Sequence, residues 1–465
     1  MACAGLRVRA WAPLSALLVF VLTAARAMAQ TPASVPVPSP TPERWSVHVQ
    51  ATDTQQYHGG FPAAYSGPQS LSARPDTAKT IDATLFLGTR LWKSAELYLD
   101  PELDQGFGLG LPGAPGMPYN GTFGVAGFLN GEDYKVGRAS AYGRIQRAFV
   151  RQTFEFGGEQ QKIDPDLNQL GGAEDARHLT LTAGKFAATD VFDTNVYAHD
   201  SKNDFLNWAV IDMGAFDYAA DAWGYTYGAS AEFVNAHSAF RAGVFQLSLV
   251  PNQIAIEPVP FRQYSPIVEF EQRTSLFGGH SGSVKALVYG DDGYIGSYAD
   301  ALAAAAKTGS VPNTAAVRTA KHWKVGAGLN LAQEIAPHVG VFGRLSAMNG
   351  TYEAYDFSDI DRSISGGLSI DGGLFHRPND AFGLAGVANS LAAPARQYFA
   401  AGGLGILIGD GGLSYGGENI LETYYKAGLT PNAAFTVDYQ RVTNPGYNTV
   451  RGPVSVYGVR FHAQY

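Results

Sequence analysis

The 465-residue chain has a net charge of −8, with 12% aromatic residues and only 16% charged ones, against roughly 25% charged in ordinary soluble domains. An acidic chain without basic tracts is a poor partner for nucleic acid. The single cysteine, Cys3, excludes a disulfide framework, and past residue 29 no apolar run approaches the roughly 18 residues of a spanning helix.

Arg7 and Arg9 open the chain with a basic stretch, Pro13 to Ala25 is apolar, and Ala27-Met28-Ala29 offers a small-x-small cleavage site. These parts predict a secretory leader at 1–29, too short for a membrane anchor. Its removal takes Cys3, Arg7, Arg9 and Arg26 with it and leaves a net charge of −11. Residues 30–43 are Pro-rich and predict an extended lead-in. Residues 44–465 predict one all-β domain.

Strand-like runs then follow to the end, near 45–53, 80–91, 95–101, 145–156, 178–186, 223–234, 239–249, 265–276, 282–290, 321–332, 338–347, 351–358, 362–370, 381–389, 397–408, 418–428, 434–442 and 453–465. Of these eighteen runs, 351–358 and 381–389 are weak. The last is the clearest. Ser455, Tyr457, Val459, Phe461, Ala463 and Tyr465 alternate with Val456, Gly458, Arg460, His462 and Gln464. A strand sends these two sets to opposite faces, one fit for lipid and one for water. Such a strand is expected to close a barrel, with Tyr465 as the signal read by the barrel-assembly machinery.

The connections sort by length. Short ones fall at 92–94, 235–238, 278–282, 333–337 and 430–432, and long ones at 54–79, 102–144, 187–222, 250–264 and 291–320. This is the asymmetry of an outer-membrane β-barrel, with short periplasmic turns and long external loops. The connection 157–177 is long on the short side. Two loops are candidates for folding inward: the Gly-rich 102–144, and 187–222 with its apolar FLNWAVIDMGAFDY. An ordered external cap is the alternative for both. ADALAAAA at 299–306 predicts a short external helix.

No motif supports an enzyme, a cofactor or a metal. Gly108-x-Gly110-x-x-Gly113 matches a dinucleotide fingerprint in letters only, because Pro112 and Pro115 forbid the helix that should follow. His199-Asp200-Ser201 and Gly279-His280-Ser281-Gly282-Ser283 lack the arrangement of a hydrolase site. Asp291-Asp292-Gly293 reads as a polar loop tip. The ten histidines have no metal-ligand spacing.

The polar strand faces say more. Arg147, Phe149, Arg151 and Glu155 oppose Ala148, Val150, Phe154 and Phe156; Glu96, Tyr98 and Asp100 oppose Ala95, Leu97 and Leu99. Phe342, Arg344 and Ser346 share a face, as do Glu422, Tyr424 and Lys426. Arg or Lys at the lipid midplane costs about 2–4 kcal/mol, so these faces belong in the lumen. There they either line water or form ion pairs across the wall. An ion-selective pore needs charge of one sign. A mixture of both signs with aromatics suits neutral polyols, whose hydroxyls meet the charged groups while the ring stacks on the aromatics.

Several segments resemble the carbohydrate-selective outer-membrane porins, the OprB-like family of Gram-negative bacteria. They include Tyr65-Ser66-Gly67-Pro68, Thr84-Leu85-Phe86-Leu87-Gly88 with Arg90-Leu91-Trp92, and Pro101 to Gly108 (PELDQGFG). Further along come Arg147 to Phe154 (RAFVRQTF), Gly184-Lys185-Phe186, Phe205 to Ala209 (FLNWA), Gly214 to Tyr218 (GAFDY), Glu422-x-Tyr424-Tyr425, Asp438-Tyr439-Gln440 and Asn444 to Asn448 (NPGYN). The resemblance implies a transmembrane antiparallel β-barrel of about 16 strands, fewer than the eighteen runs, often assembled as a homotrimer. It implies facilitated diffusion of glucose-type sugars across the outer membrane. Carried over as pore lining are Arg147, Arg151, Lys185, Glu102, Asp104 and Glu422, beside Glu96, Tyr98, Arg344, Tyr424 and Lys426 from the strand faces. A general or anion-leaning diffusion pore is the main alternative.

Overall fold

The computed structural model describes residues 42–110, 122–133, 137–357 and 359–465. The leader, the lead-in up to residue 41, the LPGAPGMPYN stretch at 111–120 and Gly113 of the glycine motif lie outside them.

In chain order the strands are β1 (Trp45–His58), β2 (Asp76–Trp92), β3 (Ala95–Phe107), β4 (Arg138–Glu155), β5 (Gln160–Ile163) and β6 (Gly172–Asp175). Next come β7 (His178–Phe186), β8 (Thr226–Val234), β9 (Ser238–Gln246), β10 (Tyr264–Leu276), β11 (His280–Gly293) and β12 (His322–Ala336). The last are β13 (Val339–Met348), β14 (Arg362–Asp371), β15 (Ala381–Ser390), β16 (Glu418–Thr430), β17 (Ala433–Thr443) and β18 (Val454–Gln464). Sixteen of them close an antiparallel barrel; β5 and β6 form a separate two-stranded ribbon. β18 is the closing strand: it pairs with β1, Asp53 opposite Phe461 and His58 opposite Val456. Closure removes the sheet edges, which lipid cannot solvate. No helix among the described residues is long and apolar enough to cross a membrane.

Period-two patterning decides which face is which. On β18, Val456, Gly458, Arg460 and His462 are buried while Tyr457, Val459 and Phe461 are exposed. On β1, Gln50, Thr52, Thr54, Gln56 and His58 all turn inward. The outer face carries aromatics near both rims. Trp45, Trp92, Phe156, Phe233, Phe277 and Tyr465 ring the short-turn end, and Tyr57, Tyr227, Trp323 and Tyr457 lie toward the long-loop end. These match the girdles that hold a barrel at the two interfaces.

The eighteen expected runs reduce to these sixteen. Residues 351–357 of run 351–358 belong to a loop, with Tyr352 bridged to Ser297. Run 397–408 is half helix (Ala393–Ala400) and half loop, because Pro394 in the first turn presets helical backbone. The weak run 381–389 is a complete strand, β15. Asp291 and Asp292 end β11 rather than tipping a loop. The helix expected near 299–306 spans Tyr298–Thr308, capped by Ser297 and Gly309. Tight turns join β2–β3, β8–β9, β10–β11, β12–β13 and β16–β17 at one end, and long loops connect strands at the other.

Candidate functional site

The described residues 122–133 of the first candidate loop and the second loop fold into the lumen, where the polar strand faces hold them. Phe205, Asn207 and Trp208–Ile211 are buried, as are Phe123 to Asn130. Glu422 accepts the backbone N–H groups of Leu206 and Asn207 at 2.5 and 3.1 Å. Glu418 does the same for Ala126 and Gly127 at 2.9 and 2.8 Å. Arg344 donates to the carbonyls of Val210 and Ala198 and pairs with Asp193. Arg460 donates to the carbonyls of Ser201 and Asp204. Lys324 pairs with Asp217 at 2.7 Å. The two segments also bond each other, Trp208 N–H to Phe128 carbonyl and Gly131 N–H to Leu206 carbonyl. Backbone that leaves regular structure inside a barrel must find such partners.

The inward segments leave open a chamber of about 490 Å³ bounded on the wall side by β1–β4. That volume lies within the roughly 300–1,000 Å³ usual for small-molecule sites. Its basic groups are Arg147, Arg151, Lys202 and His199, against five carboxylates, Glu102, Glu132, Asp190, Asp200 and Asp212, with His199 3.5 Å from Asp212. Arg147 grips Asp190 with two hydrogen bonds of 2.6 and 2.7 Å. Lys202 pairs with Asp82 and lies 3.9 and 3.8 Å from Glu102 and Glu132. Arg151 is 4.0 Å from Glu96. Opposite them, Phe128, Trp208 and Phe357 stack, with centroids 4.9 and 5.1 Å apart, and Tyr218 packs on Phe357. The buried Trp208 Nε1 has no hydrogen-bond partner among the described residues.

Local backbone chemistry aims Arg147. Pro101 on β3 has no N–H to give the ladder, and the pairing shifts there: Asp100 faces Arg147, Pro101 faces Ile145, and Gln146 is skipped. The bulge turns both Gln146 and Arg147 inward. Gln146 bonds Glu102 while Arg147 reaches across to Asp190.

The family model "Carbohydrate-selective porin, OprB family" matches residues 69–465. The chain belongs to this family. The fold is that of a solved "High pH structure of Pseudomonas putida OprB", with 13% identity, a TM-score of 0.63, and 91% of this chain and 94% of that one covered. A Pseudomonas aeruginosa OccK2 (OpdF) structure is similar at 9% identity and TM-score 0.44, over 90% of this chain and 98% of that one. No curated protein matches. The OprB family and the barrel make the chain an outer-membrane sugar porin, and both imply a channel.

In this OprB-family porin the expected lining residues separate into groups. Glu102, Arg147 and Arg151 line the chamber. Glu96 lies toward the short-turn end, in a second hollow, and Tyr98 is buried beside it, donating to Glu96 at 2.7 Å. Lys185 falls in a separate cleft with Arg144 and Asp221. Asp104 is buried in the wall. Arg344, Glu422 and Tyr424 do not line water: the inward loop covers them, with Phe205 edge-on to Tyr424 at 4.9 Å. Lys426 is half-buried nearer the short turns. Missed in the sequence were Lys202, Asp190 and the Phe128–Trp208–Phe357 stack, all supplied by loops. The only signal for them was an apolar stretch too long for an exposed loop.

Proposed function

We propose that this OprB-family porin passes small neutral sugars of the glucose type by facilitated diffusion through the chamber bounded by β1–β4. One observation carries the reading: Arg147, Arg151 and Lys202 each lie within 4.0 Å of a carboxylate and His199 lies 3.5 Å from Asp212, so the passage offers hydrogen-bonding charge while each cation is already neutralised against passing anions. Paired charges still give and accept hydrogen bonds in a plane. The Phe128–Trp208–Phe357 stack provides an apolar wall for the C–H face of a ring. Several modest contacts in a row suit release better than one tight site.

The anion-leaning alternative finds no support in a chamber with more carboxylates than cations. Planar-bilayer recording separates the two. Glucose or maltodextrin should reduce the current stepwise, with reversal potentials near zero under a salt gradient. Strong anion selectivity without sugar block would replace this reading by the alternative. We also infer that the leader at 1–29 is cleaved on export. The assembly machinery then reads β18, whose Tyr465 side chain is 83% exposed at the short-turn rim.

A further inference from the structure

The β4–β7 connection breaks the rule of short turns, and it does so inside the pore. β5 and β6 pair from Gln160–Asp175 to Ile163–Gly172. Beyond them Asp166 and Gln169 exchange both backbone hydrogen bonds, at 3.1 Å each, so Leu167 and Asn168 form a tight tip with Asn168 at a φ of +52°. This finger is fastened to lumen-facing side chains of β3 and β4. Asn168 Nδ2 donates to Asp100 at 2.8 Å, Arg151 donates to the Asn168 carbonyl at 2.9 Å, and Leu170 N–H donates to the Tyr98 hydroxyl at 3.1 Å. Tyr98 and Asp100 are 1% and 0% exposed, and both belong to the inward set of β3. The tip therefore lies within the barrel, at its short-turn end. Glu43, just before β1, bonds Gly171 through both backbone and carboxylate and braces the base.

Two hollows meet at this finger. Leu167, Asn168 and Gln169 floor the sugar chamber. Beneath lies a second hollow of about 310 Å³, lined by Glu96, Glu155, Glu174, Glu232, Arg90 and His178 among others. Arg151 and Gln169 border both. We propose that the finger Asp164–Leu170 is a second, exit-side constriction of the pore, with Arg151 and Gln169 as the neck and the lower hollow as a further polyol-binding station before release. This rests on the porin reading above. It adds that selection occurs twice, by elements hung on opposite ends of the barrel.

The test removes the finger without opening the wall. Ile163 and Gly172 are paired, so replacing Pro165–Leu170 by Asn-Gly closes the ribbon as a two-residue hairpin. Single-channel conductance should at least double, and sugar added from the short-turn side should block the current several-fold less well. Unchanged conductance and block in a correctly assembled variant overturns the proposal. Leu167→Cys provides a second route that keeps the backbone, since the leader carries the only natural cysteine. Labelling it with a charged thiol reagent should lower conductance by half or more, and complete labelling with no change also overturns the proposal. A wild-type channel that conducts but ignores sugar would instead sink the sugar reading, while the conductance arms still decide the finger.

Discussion

Glu422→Ala tests whether the wall acts on transport through the loop it holds. The Glu422 side chain is fully buried and accepts two backbone N–H groups of the inward loop, at Leu206 and Asn207. At about 0.5–1.5 kcal/mol for each hydrogen bond, the variant loses roughly 1–3 kcal/mol of loop anchorage. At about 1.4 kcal/mol per factor of ten, the loop's opening equilibrium shifts by roughly five- to a hundred-fold. The ladder partners of β16 are backbone groups and stay in place, so the barrel itself should persist. Single-channel recording should show frequent excursions to a higher conductance, and protease should cut within 187–225. Glu422→Gln keeps one acceptor but turns an amide N–H₂ toward one of the two donors, and it should fall between. The reasoning fails if Glu422→Ala migrates as a folded barrel yet shows the wild-type conductance and resists cleavage, because the loop would then not depend on that carboxylate.

Other perturbations probe the chamber and the rim. Trp208→Phe keeps the stack between Phe128 and Phe357 and removes only an indole N–H that is buried away from the chamber; glucose block should change less than two-fold at unchanged conductance, and a loss beyond the roughly two- to twelve-fold of a neutral hydrogen bond worth about 0.5–1.5 kcal/mol would mean that the sugar displaces the stack. Arg147→Ala removes one of the chamber's cations and frees Asp190, so reversal potentials should move toward cation preference while sugar block weakens. In the turn between β14 and β15, hydrogen bonding from Arg377 holds the Asp380 carboxyl down at about 2. A depressed carboxyl contributes stability above its unfolded value of about 3.9, and that contribution is lost as pH falls through about 2. Hydrogen exchange at Gly428, whose N–H bonds Asp380, should therefore accelerate over that window in the wild type and show no such pH dependence in Asp380→Asn.

The barrel was legible because its signals are local. Alternation along β18 and the short turns at 235–237 and 431–432 depend only on neighbouring residues. Interior polar residues were legible as interior for the same reason. Their roles were not, since nothing along β16 tells whether Glu422 meets water or a loop more than two hundred residues away. The inward turn of Gln146 was hidden too: alternation places it opposite Arg147, and only the register against Pro101 brings both to one face. The finger was visible as an over-long connection, but its target, the Asp100 and Tyr98 side chains, is a tertiary fact.

A lumen wall must be polar whether or not it conducts. Water or backbone will occupy the interior, and each demands hydrogen-bonding partners. In this chain much of the polar wall from β12 to β18 is consumed in holding protein: Lys324, Arg344, Glu418, Glu422, Gln440 and Arg460 all end on inward segments. The wall of β1–β4 is the part left facing the chamber. There the bulge at Pro101 and the finger beneath Arg151 shape the passage from the wall side, while Lys202, Asp190 and Trp208 complete it from the loop side. Substitutions on the far wall should therefore change gating and conductance together through loop displacement. Those on β3 and β4 should change which solute is held. Comparing Arg344→Ala with Arg151→Ala for open-channel noise against glucose affinity separates the two walls; equal effects on both readouts from both variants would mean that the lumen responds as one unit.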